Sequence, residues 1–129
     1  MGHTIVRPED RRFAAPSWRP DDPARTLVEL PLLANLKNSR AHLWRYPPGA
    51  SGHRHRENVQ EEVFLVLEGT LSMELGDERE RLDLTPGTIV VVEPDTTLRV
   101  FNAGTDEVLV FAYGSPAEAG TAEILERAW

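Results

Sequence analysis

The chain has 129 residues and a mass of 14.5 kDa, with no cysteine and a net charge of −7. That length is one domain able to hold a core without covalent staples. The absence of cysteine excludes disulfides, thiolate metal sites and a cysteine nucleophile, and the acidic balance argues against nucleic acid and anionic membrane as partners. No apolar stretch, Thr88–Val92 included, is long enough to span a bilayer. Met1–Thr4 opens no apolar leader, so a cytoplasmic location is expected. Residues 57–93 concentrate acidic side chains against only Arg79 and Arg81, which reads as a solvated sheet face.

Residues 1–38 read as an irregular arm. Pro8, Pro16, Pro20 and Pro23 lie among Arg and Asp, with short strands expected at Thr4–Val6 and at Leu27–Leu30, the second limited by Pro31. Residues 39–115 read as strands. Arg40–Tyr46 alternates, with His42, Trp44 and Tyr46 on one face, and Pro47-Pro48-Gly49 ends it. Glu62–Glu68 is a β-rich run stopped by Gly69. Thr70–Leu75 turns Leu71, Met73 and Leu75 inward, and Gly76-Asp77-Glu78 turns the chain into Arg79–Leu84. Pro86-Gly87 precedes Thr88–Val92, apolar on both faces, and Leu98–Asn102 and Glu107–Tyr113 complete the series. Residues 116–129 form a tail packed on the barrel. Within it, Thr121–Trp129 reads either as a short helix with Ile124, Leu125 and Ala128 on one face or as an extended segment. Seven or eight short strands with regular turns and no long helix predict an all-β antiparallel sandwich or barrel with one cavity at its mouth.

Two of the four histidines form His53-Arg54-His55. In an extended segment both imidazoles point the same way and reach one ion. Seven residues on, Glu62 shares a strand face with Phe64 and Val66. Two imidazoles and one carboxylate are a first-row transition-metal set with open positions, so His53, His55 and Glu62 are the candidate ligands for zinc, nickel, iron or manganese. Glu57 and Glu61 compete with Glu62 for the carboxylate role. By strand parity Tyr46, Phe64, Val66, Met73, Leu98, Val100 and Asn102 line the cavity, and Tyr113 offers a further hydroxyl. The expected pocket is small, mainly apolar, and polar at the metal end. No catalytic acid or base stands out.

Pro48-Gly49, His53-Arg54-His55, Glu62 and Gly69 together resemble the first signature of the cupin family. Gly76, the Pro86-Gly87 turn, Pro94 and Asn102 resemble the second. The resemblance covers roughly residues 40–114. It implies a double-stranded β-helix (jelly-roll) barrel, and by itself no particular activity. It also implies a ligand set of three histidines and one glutamate, in which the last histidine falls on Leu98. Leucine cannot ligate, so the resemblance implies an incomplete site, with His42 the first candidate to complete it. Two functions follow: a metal-dependent enzyme on a small organic acid, sugar or aromatic substrate, or a non-catalytic module that binds or senses a small molecule. The polar arm carries Phe13, Trp18 and Val6, which predicts packing on a neighbour and a homodimer, as single-domain members of the resembled family commonly form.

Overall fold

The longer strands follow the stretches where the sequence alternates. The computed structural model describes residues 2–117 and 122–129. Ten strands run through them: β1 (Thr26–Glu29), β2 (Arg40–Tyr46), β3 (Arg54–Arg56), β4 (Glu61–Glu68), β5 (Leu71–Leu75), β6 (Glu80–Leu84), β7 (Ile89–Val92), β8 (Thr97–Phe101), β9 (Val108–Ser115) and β10 (Glu123–Glu126). They form two five-stranded antiparallel sheets, ordered β1-β2-β9-β4-β7 and β10-β3-β8-β5-β6. This is the all-β double-stranded β-helix. One helical turn, α1 (Leu30–Leu33), and a 3-10 turn at Pro8–Asp10 interrupt it. No helix among the described residues is long and apolar enough to cross a membrane.

β9 shows the physical rule at its simplest. Val108, Val110, Ala112 and Gly114 turn inward and are buried, whereas Leu109, Phe111 and Tyr113 lie on the outer, more open face. Inner-face residues of both sheets, among them Leu27, Val66, Leu71, Met73, Leu98 and Val108, merge into one core. Burial of such side chains contributes about 1.5–3 kcal/mol each before conformational entropy is counted. Gly69, between β4 and β5, sits at φ +74°, and a Cβ there would lie 2.5 Å from the Glu107 carbonyl oxygen. Only glycine fits that corner.

The arm differs from its expectation. Thr4–Val6 pairs with no strand. Ala14 instead exchanges backbone hydrogen bonds with Leu27, extending the edge at β1. The Arg45 guanidinium lies 3.7 Å from the Phe13 ring centroid, and Trp18 packs against His42 and Trp44. These aromatic residues of the arm therefore cover this chain's own barrel. In the tail, Ile124 pairs with His55 in β3, so the extended form holds over Glu123–Glu126, while Thr121 lies outside the described residues.

Asn102, expected to line the cavity, is a corner brace. Its amide donates to the carbonyls of Tyr46 at 2.9 Å and Asp106 at 2.8 Å, and its Oδ1 accepts from the Gly104 N–H at 2.9 Å. The side chain is 2% exposed, and its bond to the Tyr46 carbonyl is buried. Asn102→Ala should cost about 1–3 kcal/mol, read as a lower urea midpoint, because that buried carbonyl and two partly buried backbone groups lose their partner.

Candidate metal centre

The open end of the barrel holds a cavity of about 400 Å³ walled by the inner faces of both sheets, the arm and the tail. β3 is short and polar, and His55 at its centre lies directly opposite Leu98 of β8 and Ile124 of β10. Cross-strand partners leave a sheet on the same side, so His55 stands between two apolar neighbours. Its Nδ1 lies 3.0 Å from the His53 carbonyl oxygen. A carbonyl only accepts, so Nδ1 carries the proton and Nε2 keeps its lone pair for a metal.

Glu62, near the start of β4, faces the cavity with Phe64. Its Oε1 is inaccessible to solvent and has no hydrogen-bond partner among the described residues. Burial, reinforced by the nearby Glu57 carboxylate and opposed by Arg40, pushes its pKa up to about 7. One ligand atom each from His55, Glu57 and Glu62 lies within 4.8 Å of the other two. Two carboxylates held this closely with an imidazole lone pair repel each other unless a proton or cation lies between them. An orphaned carboxylate oxygen and an N,O,O donor set fit a divalent transition ion.

The structure thus brings His55 and Glu62 together and places Glu57 beside them, where His53 was expected. His53 precedes the first residue of β3, so the two-residue alternation that would aim it with His55 does not apply to it. Its Nδ1 accepts a 2.8 Å hydrogen bond from the Ala128 N–H, and its ring lies 3.8 Å from that of Trp129. The other nitrogen, Nε2, then bears the proton and is buried without a partner. Burial and the charges of Arg19 and Arg25 hold its pKa down, which keeps the ring neutral. Glu57 follows the last residue of β3, so the alternation does not reach it either. The acidic stretch read as a solvated face includes these two partly buried carboxylates.

Of the other expected lining residues, Tyr46, Phe64 and Val100 face the cavity, and Tyr113, on the outer face of β9, only borders it. Val66, Met73 and Leu98 do point inward, but they are at most 1% exposed and belong to the filled part of the barrel. His42 lines the cavity between Trp18 and Trp44, with ring centroids 5.1 and 6.2 Å away, and is not among the clustered donors. Burial, then the Arg40 charge, lowers its pKa to about 4 from 6.5. Between those values the unfolded chain binds a proton that the folded one refuses, so stability rises with pH across the window. Relative to His42→Gln, the wild type should lose on the order of 3 kcal/mol between pH 7 and pH 4, measured by urea unfolding at each pH.

Three arginines on the cavity wall were not singled out in the sequence. The Arg25 side chain pairs with Asp22 at 2.7 Å, donates to the Tyr46 hydroxyl at 3.1 Å and lies 4.6 Å from the Trp44 ring centroid. Arg40 shares the inner face of β2 with His42, Trp44 and Tyr46, and strand parity alone would have found it. Arg19 comes from the arm.

The two antiparallel sheets define a double-stranded β-helix barrel with a histidine–carboxylate cluster in its open end. The cupin domain family matches residues 42–113, more than half of the sequence, and the chain belongs to the cupin family. No curated protein matches the sequence. Among solved structures, polyketide cyclase RemF from Streptomyces resistomycificus superposes with a TM-score of 0.79 at 17% identity, covering 95% of this chain and 85% of that one. KdgF from Halomonas sp. gives 0.71 at 20% identity, over 89% and 96% of the two chains. A sugar phosphate isomerase of the cupin superfamily from Silicibacter pomeroyi gives 0.68 at 21% identity, over 81% and 69%. At these identities the likeness is one of fold.

Proposed function

We propose that this cupin is a metal-dependent enzyme acting on a small organic molecule, with His55, Glu57 and Glu62 as ligands. The observation that carries the reading is the buried, unpartnered Glu62 carboxylate within 4.8 Å of two further donors. Isolated burial of a carboxylate is costly, and a cation at this point would offset it. A divalent ion bound there supplies Lewis-acid polarisation of a carbonyl or hydroxyl. The chain's own contribution is to fix the His55 tautomer through the His53 carbonyl, hold the two carboxylates on a dry wall, and shape the cavity with Tyr46, Trp44 and Phe64. An isomerase and a cyclase among the fold neighbours support chemistry that rearranges a single substrate, by analogy of fold alone.

A non-catalytic binding module is the alternative, and the engagement of His53 by Ala128 favours it. Elemental analysis of protein purified without a metal-affinity step separates the two. The enzyme reading expects close to one equivalent of manganese, iron, zinc or nickel, lost on chelation and absent from His55→Ala. Substoichiometric metal in every preparation would overturn it. The homodimer is proposed alongside, supported by Ile89 and Val91, which are 63% and 67% exposed on the sheet-edge strand β7. Light scattering at micromolar concentration should give twice the chain mass, and a monomer mass would remove the idea.

A further inference from the structure

The charge inside the cavity runs against that of the whole chain. The protein carries −7, yet its cavity wall includes Arg19, Arg25 and Arg40. Asp22 neutralises Arg25 through the ion pair described above. A divalent ion on Glu57 and Glu62 would neutralise both carboxylates. Two guanidiniums then remain over the cavity, and among the described residues no carboxylate forms an ion pair with either.

Arg40 is placed to use that charge. It stands at the start of β2, on the face that carries His42 and Trp44 into the cavity. Its guanidinium lies 4.9 Å from the Trp18 ring centroid, and the stacking leaves the edge of the planar fork open. Among the described residues no carboxylate lies within ion-pair distance of it. Such a fork matches a carboxylate with two parallel hydrogen bonds. Beside Trp18, the rings of Trp44, Tyr46 and Phe64 also line the cavity. A volume of about 400 Å³ suits a molecule with one or two six-membered rings.

We propose that the cavity binds a ring-bearing carboxylate, whose carboxylate is held by the Arg40 guanidinium beside Trp18 and whose ring lies against Trp44 and Phe64 toward the His55–Glu57–Glu62 group. The inference rests on the reading of the cavity as the ligand site and adds the substrate class. Arg40 is a binding and specificity residue in it, and Arg19 adds charge at the mouth.

The probes are benzoate and its neutral analogue benzamide, titrated into zinc-loaded protein. All three tryptophans border the site: Trp18 and Trp44 line the cavity and Trp129 stacks on His53, so intrinsic fluorescence reports binding directly. Benzoate should bind at least tenfold more tightly than benzamide, because a charge-assisted bidentate pair exceeds a neutral hydrogen bond. Arg40→Gln should abolish that preference while leaving benzamide affinity within about twofold, and Arg40→Lys should restore part of it. Arg45→Gln, which removes a charge from the opposite face of the same strand, should change neither. Equal binding of both probes by the wild type, or a preference that survives Arg40→Gln, would overturn the anion inference and leave the metal reading intact. No fluorescence response to either probe would overturn the cavity as the ligand site and this inference with it.

Discussion

Glu62→Gln should separate the site's role in metal binding from its cost to the fold. The substitution keeps the shape and removes the charge. Metal affinity should fall by at least about a hundredfold, since loss of a ligand exceeds the 10–100-fold effect of disturbing a ligand's neighbour. In metal-free protein the effect on stability has the opposite sign. The folded-state pKa of Glu62 is raised to about 7 from an ordinary 4.5, so the folded chain holds a proton that the unfolded chain releases. Stability therefore falls as pH rises through that window, and it is fully reduced above pH 7. Metal-free Glu62→Gln should match the wild type near pH 4 and exceed it by on the order of 3 kcal/mol at pH 8. Urea unfolding with chelator present reads the second effect, and calorimetric zinc titration reads the first. A variant that is less stable at pH 8 would mean that Glu62 has a partner the structure does not show.

Leu98→His should act in the reverse sense. Leu98 is 1% exposed and lies opposite His55 across β3 and β8, on the same side of the sheet. An imidazole there adds a nitrogen donor beside His55. Zinc or nickel affinity should rise at least about tenfold, and metal-free stability should fall by about 1–3 kcal/mol, because a buried imidazole needs a hydrogen bond that leucine does not. Unchanged affinity would show that the position lies too deep in the core to reach the ion.

Much of the barrel was legible because its strands obey one rule. β2, β4, β5 and β9 alternate over five to eight residues, and Gly69, Gly76 and Pro86-Gly87 punctuate them. β3 was not read as a strand of its own and β10 only as one of two alternatives, because Arg54-His55-Arg56 and Glu123–Glu126 each turn a single residue toward the barrel, too few for a periodicity. Their pairing is set by tertiary contact, with the outer arginines and glutamates joined by the Arg56–Glu123 and Arg79–Glu126 ion pairs. Thr4–Val6 has strand-like composition, but it is Ala14 that takes the edge at β1.

At the site, the two-residue alternation placed Glu62 with Phe64 and brought His55 to the same cavity. It failed at His53 because that residue precedes the strand, and the tail backbone captures its Nδ1. No local pattern foretells that a residue 75 positions away supplies the hydrogen bond. Val66, Met73 and Asn102 mark a different limit. Parity tells which side a residue faces, but the depth at which packing ends and the cavity begins depends on both sheets together. Arg40 shares the parity of His42, but a basic residue at a strand end reads as solvated until Trp18 is seen to cover it, and Arg19 and Arg25 lie in an arm with no periodicity.

The most direct test of the metal centre is anomalous scattering from crystals grown with zinc and measured on either side of its absorption edge. One peak at bonding distance from His55 Nε2 and from carboxylate oxygens of Glu57 and Glu62, with His53 still bound to Ala128, is the predicted result. A cavity without a peak, or a peak on His53 that excludes Glu57, would contradict it.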